Sequence, residues 1–211
     1  MNNIGIIAGG GQLPIVIGKK LIDKNFNVVF FVIEEFYNSK IYKDLDLIII
    51  NLKSAKKIIK LLQSRNIDNI IMAGSIVRPS LTDISFDLQT FKLAKTLLLD
   101  KKGDNNLLVS IKNFFMDYGF DYFDWKMHCP DLFANKDYLT NKKPSKLAQK
   151  NLKKALSVFK SFGKLDIGQS MVIQNQIVLG LEAAEGTDNL ITRCKNYKKS
   201  GDKGVLVKFS K

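Results

Sequence analysis

The stretch NIGIIAGGGQLPIVIGKK, residues 3–20, does most to confine the fold of this chain. An Ile-rich apolar run, consecutive glycines and then apolar residues at helical spacing read as a strand, a tight turn and a helix. Pro14 suits the first turn of that helix, where an N–H has no intrahelical acceptor. The alternation continues: VVFFVI (Val28–Ile33), LDLIII (Leu45–Ile50) and NIIMAG (Asn69–Gly74) are short runs rich in Val and Ile, whereas PIVIGKKLIDK and SAKKIIKLLQSR carry helical spacing, with Ser54 placed to cap the second. Strands alternating with helices predict βαβ units, so the fold class is α/β with a Rossmann-like parallel sheet in the N-terminal part. Further helices are predicted over Leu88–Leu99 and Leu107–Tyr118, and a strand over Phe120–Trp125.

After HCPDLFANKDYLTNKKPSK, a polar stretch that contains proline, the character changes. The boundary is placed near Tyr138, giving an N-terminal domain over 1–137 and a smaller α/β domain over 138–211. The second domain opens with a predicted helix, about Lys146–Phe162, that puts Lys146, Lys150, Lys153, Lys154 and Lys160 on one face and Ala148, Leu152, Ala155, Leu156 and Phe159 on the other. QSMVIQNQIVLGLEA predicts two strands joined by a tight turn at Asn175 and Gln176, and TDNLITRCKNYKKS a helix that starts at Thr187 or Asp188.

The chain has 211 residues, 45% of them hydrophobic, enough for a real core. Its longest apolar runs are strand-sized, far short of the roughly 20 residues of a membrane span. The start lacks the basic segment and cleavage site of a secretory signal, and Cys129 and Cys194 have no metal-like spacing, so a cytoplasmic protein with reduced thiols is expected. The formal net charge of +13 sits in a chain crowded with Asn and Ile as well as Lys, and therefore does not by itself assign a nucleic-acid partner. Its distribution is more telling: from Tyr138 to Lys164 there is no acid.

Several motifs carry chemistry and each also has a plainer reading. AGGGQLP (Ala8–Pro14) could cradle a phosphate at a helix N-terminus or simply turn the chain; it satisfies G-x-G at Gly9 and Gly11 but places Pro14 where the dinucleotide fingerprint wants a small residue. Glu34 or Glu35 could imitate that fingerprint's ribose-binding acid. MAGSIVRPSL (Met72–Leu81) ends the fourth predicted strand and offers Arg78 to a phosphate or to a surface ion pair. In KGDNNLL, Asp104 reads as a helix cap. His128, the sole histidine, is adjacent to Cys129, and no nucleophile–base pair follows from that spacing. LDIGQS supplies a turn before the hairpin. EAAEGTDNLI gathers Glu182, Glu185 and Asp188 around Gly186; crowded carboxylates need a cation, a proton or hydrogen-bond donors. Capping would account for Thr187 and Asp188 but not for Glu182 and Glu185.

Taken in order and spacing, IIAGGGQLP, MAGSIVRPSL, KGDNNLL, LDIGQSMVIQNQIVLGLEAAEGTD and GVLVKFSK resemble the UDP-2,3-diacylglucosamine pyrophosphatases of lipid A biosynthesis that are not of the calcineurin-like type. The resemblance implies a two-domain cytoplasmic enzyme that binds its lipid-nucleotide between domains and hydrolyses it, with a divalent metal such as Mg²⁺, to UMP and 2,3-diacylglucosamine 1-phosphate. It implies substrate contacts at Gly10, Gly11, Gln12, Leu13, Ala73, Gly74, Ser75, Arg78, Asp104, Gly168, Gln169, Ser170, Gly186 and Thr187, and catalytic and metal-holding roles for Glu185 and Asp188. The basic helix would meet an anionic membrane surface, or is simply a solvated face. Oligomeric state is left open.

This chain departs from the family pattern in three places. GDNN stands where the family has GDD, so Asn105 does not match, and QKNLKKA replaces a motif that contains Asp. Family chains also run on past the strand corresponding to VLVK into a segment with further acids, so little hydrolysis is expected of residues 1–211 alone. Two rival readings are a nicotinamide-dependent enzyme using AGGGQLP and Glu34, and a basic nucleic-acid-binding module. Pro14 and EAAEGTD argue against the first, and the lack of a nucleic-acid fold signature or aromatic platform against the second.

Overall fold

The structure is a computed structural model that describes residues 3–76, 104–134, 136, 138–163 and 167–209, with 104–108 described by backbone alone. The predicted helix over Leu88–Leu99 lies outside the described residues, as does Arg78. The chain divides into two compact units, one of Met1–Lys102 with Asn106–Ala134, the other of Gly103–Asn105 with Asn135–Lys211.

Unit 1 is built on β1 (Asn3–Ala8), β2 (Asn27–Ile33), β3 (Leu47–Ile50), β4 (Asn69–Ala73) and β5 (Asp121–Tyr122). They form a parallel sheet in the order β3-β2-β1-β4-β5, so the strand order reverses between β1 and β4. Helices α1 (Leu13–Ile22), α2 (Ala55–Ser64) and α3 (Asp104–Asp117) join them, with short 3-10 turns at Glu34–Phe36, Trp125–Met127 and Pro130–Leu132. Both sheet faces are covered, which is why β1 and β2 read as unbroken apolar runs. Ile4, Ile6, Ala8, Val28, Phe30 and Val32 pack with Ile17 and Leu21 of α1, while Ile7, Val29, Phe31 and Ile33 pack with Ile58 and Leu62 of α2 and Phe114 and Phe115 of α3.

Local chemistry sets the boundaries. The Ser54 side chain accepts from the Lys57 N–H at 3.4 Å and starts α2. β3 begins at Leu47 rather than Leu45, because Asp44 has φ 62° and the Leu45 N–H turns back to the Tyr42 carbonyl. α3 begins at Asp104 rather than Leu107. The strand predicted over Phe120–Trp125 shrinks to β5: the Asp124 side chain accepts from the Lys126 N–H and opens a short turn. That turn brings His128 against Phe123 and Phe26, with ring centroids 5.0 Å apart in each case, so the sole histidine belongs to an aromatic cluster.

Unit 2 holds α4 (Lys146–Phe162), β6 (Ser170–Gln174), β7 (Ile177–Leu181), α5 (Thr187–Lys195) and β8 (Val205–Lys208). The strands form an antiparallel sheet in the order β7-β6-β8. One face, through Met171 and Ile173, packs on Ala155 of α4. On the other, Leu190 and Cys194 of α5 close over Gly180, where a Cβ would come within 2.9 Å of both. Asn175 (φ 51°) and Gln176 (φ 61°) make the hairpin turn with positive φ at both central residues, as the right-handed twist of the flanking strands favours. Buried Asn151 of α4 anchors it, accepting from the Gln176 N–H at 2.7 Å and donating to Asp202 at 2.8 Å. Both cysteines are buried free thiols, and no helix among the described residues is long and apolar enough to cross a membrane.

Candidate functional site

In unit 1 the loops after β1 and β4 leave the sheet on either side of the point where strand order reverses, the place where open α/β sheets bind ligands. They are joined to each other. The Gly9 N–H donates to the Ala73 carbonyl at 2.9 Å, the Gly10 N–H to the Ser75 carbonyl at 2.8 Å, and the Ser75 N–H to the Gly10 carbonyl at 3.0 Å. A Cβ on Gly9 would overlap the Ser75 carbonyl, and one on Gly74 would stand 2.6 Å from the Gly10 oxygen. Gly9, Gly10 and Gly74 therefore serve loop-to-loop contact, and the amides of Gly9 and Gly10 are spent on it.

Gly11 differs. Its φ of 92° requires glycine and the space beside it is open. The N–H groups of Gly11, Gln12 and Leu13 have no backbone acceptor among the described residues, and they stand where α1 begins, with Pro14 in its first turn. This is the part of AGGGQLP able to receive an anion. The close packing that the dinucleotide fingerprint achieves with its third glycine is met instead by Gly18, within α1, where a Cβ would overlap the fully buried Phe30 ring. Sequence reasoning missed Gly18, although an isolated glycine within a helical pattern is a signal of close packing. Glu34, at the end of β2, accepts from the Asn51 side chain at 2.8 Å. Arg78 and the side chain of Asp104 lie outside the described residues.

In unit 2 the turn before β6 and the EAAEGTD segment after β7 come together. A Cβ on Gly168 would overlap the Glu182 carbonyl, so only glycine lets the two backbones meet. Buried Glu182 accepts from the Thr187 hydroxyl at 2.7 Å and from the Gln169 N–H at 3.2 Å, and the Ser170 hydroxyl lies 3.2 Å from that of Thr187. Thr187 gives its one hydroxyl proton to Glu182, which leaves the single Ser170 proton to go to Thr187 or to Glu182. Lys208 Nζ stands 3.5 Å from the Thr187 hydroxyl, because β8 pairs with β6 in a register that sets Lys208 opposite Ser170. Burial pushes the Glu182 carboxyl up, but the bonds from Thr187, Ser170 and Gln169 and the charge of Lys208 outweigh it and hold the group below its ordinary value. Lys208 was not among the predicted site residues; only the β6–β8 register reveals it.

The other two carboxylates have different surroundings. Glu185 pairs with Arg193 at 2.7 Å and accepts from the Ala183 N–H at 3.3 Å; the Arg193 bond leads in drawing its pKa down. Asp188 is exposed, and its carboxylate has no partner among the described residues. Gly186, with φ 78° and ψ 165°, is the N-cap of α5, not Thr187 or Asp188: the Thr187 side chain is turned to Glu182 instead. The amides of Thr187, Asp188 and Asn189 precede the first intrahelical bond, from the Leu190 N–H to the Gly186 carbonyl, and have no acceptor among the described residues. Open amides, a helix N-terminus and Lys208 together form a positive spot beside one free carboxylate.

Mg²⁺ binds through one or two carboxylates together with substrate phosphates and retains several waters. Both Glu185 oxygens are engaged, Asp188 is open, and no group of three or more potential metal-ligating side chains occurs among the described residues. These residues fit a cation that arrives with phosphate and takes one carboxylate, rather than a cage made of protein.

A family model described as the LpxI N-terminal domain matches residues 3–132, and one described as the LpxI C-terminal domain matches residues 135–211. A curated relative, the UDP-2,3-diacylglucosamine pyrophosphatase LpxI of Caulobacter vibrioides, is 28% identical over 196 residues, covering 92% of this chain and 69% of its own length. Among solved structures, UDP-glucose-4-epimerase from Stenotrophomonas maltophila, with bound NAD and formylated UDP-arabinopyranose, aligns with a TM-score of 0.39 at 11% identity over 77% of this chain and 50% of that one. That likeness is too distant to bear on function.

Proposed function

The chain belongs to the LpxI family, and from that membership we propose that it hydrolyses the pyrophosphate bond of UDP-2,3-diacylglucosamine, giving UMP and 2,3-diacylglucosamine 1-phosphate. The observation that carries the reading is the cluster around α5, where open amides and Lys208 stand next to the unpaired carboxylate of Asp188. A pyrophosphate diester is anionic throughout, so its hydrolysis needs positive charge on the phosphate oxygens and a positioned water.

The residues divide the work. The amides of Thr187, Asp188 and Asn189 and the Lys208 ammonium face phosphate oxygens and stabilise the charge that builds on them. The hydroxyls of Ser170 and Thr187 are committed to each other and to Glu182, so they hold α5 and the Gly168–Ser170 turn in place rather than bind substrate. Asp188 would hold a divalent cation with the phosphates, or orient the attacking water. Such a cation, when bound, supplies charge neutralisation and lowers the pKa of its water. Glu185, tied to Arg193, fixes the entry to α5. In unit 1, the amides of Gly11, Gln12 and Leu13 would receive a phosphate or uridine group. We place the reaction in the cytoplasm, against the bilayer that holds the acyl chains.

Incubation with UDP-2,3-diacylglucosamine and Mg²⁺ tests this. The expected result is UMP and 2,3-diacylglucosamine 1-phosphate in equal amounts, with little turnover by residues 1–211 alone and full turnover once a relative's C-terminal segment is appended. Intact substrate, with tight binding of NAD(H) in its place, would select the nicotinamide-enzyme reading.

A further inference from the structure

Residues 138–163 carry Lys142, Lys143, Lys146, Lys150, Lys153, Lys154 and Lys160 and no acid. None of these lysines joins an ion pair among the described residues. On α4, at 100° per residue, Lys146, Lys150, Lys153, Lys154 and Lys160 fall on the side opposite Asn151 and Ala155, the two residues that the helix buries. Leucines border that charged face: Leu152 and Leu156 on one flank are 43% and 46% exposed, and Leu147 on the other is 52% exposed. Just before the helix, Leu139 is 78% exposed and Lys143 lies over the Tyr138 ring, 5.8 Å from its centroid. Scattered exposed leucines need no explanation, but Leu152 and Leu156, one turn apart beside a face of lysines without ion pairs among the described residues, make that side of α4 amphipathic.

We propose that this surface docks on an anionic phospholipid bilayer, with the lysines at the lipid phosphates and Leu152 and Leu156, on one flank of the lysine face, entering the interface. Lysine is suited to this, since its long stem covers apolar surface while the ammonium reaches the headgroups. Nucleic acid explains the face less well: the segment has no Arg, the side chain that reads phosphate and guanine bidentately, and the exposed leucines gain nothing from a phosphodiester backbone. The proposal rests on the hydrolase reading for its purpose, because an acylated substrate has to be met in a bilayer, but not for its test.

Flotation of the full chain with phosphatidylcholine vesicles, with and without phosphatidylglycerol, is the test. The wild type should float only with the anionic vesicles, and less as salt is raised. Lys150→Gln/Lys153→Gln/Lys154→Gln should weaken that binding about 100-fold. Leu152→Ser/Leu156→Ser should weaken it with no change in charge, and all variants should keep the wild-type circular dichroism and melting temperature. Binding of the triple variant equal to that of wild type, equal flotation with neutral vesicles, or tighter binding to duplex RNA than to anionic vesicles would each overturn the proposal. Vesicle binding without hydrolysis, by this chain and by one extended with a relative's C-terminal segment, would leave the docking surface standing and remove the enzymatic reading. Hydrolysis of detergent-dispersed substrate without vesicle binding would do the reverse.

Discussion

The carboxylates that EAAEGTD gathers do three different things, and only their partners tell them apart. Glu182 is a buried clamp, Glu185 an ion-paired brace and Asp188 an exposed carboxylate with no partner among the described residues. Sequence showed that such a group needs partners; it could not show which, because Lys208 and Arg193 arrive through strand register and helix packing. The Glu182 pKa lies below its ordinary 4.5, so the folded state holds that proton more weakly than the unfolded chain does. Its stabilisation is complete above the unfolded value and is lost as pH falls through the lower folded value. Glu182→Gln should therefore flatten the fall of denaturant midpoint on acidification below about pH 4.5 and cost about 2 kcal/mol at neutral pH, read from urea unfolding. A variant that melts and titrates like wild type would remove the clamp.

The turns and helix ends depend on close approach as much as on propensity. In α1, Gly18→Ala gains about 1 kcal/mol of helix propensity, yet its Cβ would overlap Phe30, which is fully buried and has no room to move. Overpacking costs about 1–3 kcal/mol, so a net loss of stability is expected by thermal unfolding; a gain would mean that the helix lifts freely from the sheet. In the glycine loop, Gly9→Ala should break the union with Ser75 and lower stability. Gly11→Ala faces open space, and at φ 92° should cost about 1 kcal/mol while reducing UDP binding measured by titration calorimetry. Equal UDP binding by Gly11→Ala and wild type would reduce AGGGQLP to a turn.

Periodicity made these elements legible: β1, β2, β4, α1, α2 and α4, and the hairpin turn at Asn175 and Gln176, were all readable from spacing and turn chemistry. What it missed was decided by side chains far along the chain. α5 starts at Thr187, as its sequence predicts, but neither Thr187 nor Asp188 caps it: the Thr187 hydroxyl is drawn to Glu182 and Gly186 is the N-cap. Phe123 and Trp125 read as strand, but they leave the sheet edge to pack into the core cluster around α1.

At the scale of the whole molecule, a chain of net charge +13 concentrates lysine on α4 and sets open backbone amides at the starts of α1 and α5. Each feature suits an anion: a phospholipid surface on the first, nucleotide or pyrophosphate on the others. The central claim is that the α5 cluster performs hydrolysis, and it places the charge of Asp188 in the transition state more than in the bound substrate. The most direct measurement is steady-state UMP release from UDP-2,3-diacylglucosamine with Mg²⁺ by wild type and Asp188→Asn, each extended with a relative's C-terminal segment and differing only at an exposed position. The account predicts that kcat falls by about 100-fold or more while KM changes little, the pattern of an interaction made chiefly in the transition state. Unchanged turnover in Asp188→Asn would contradict it.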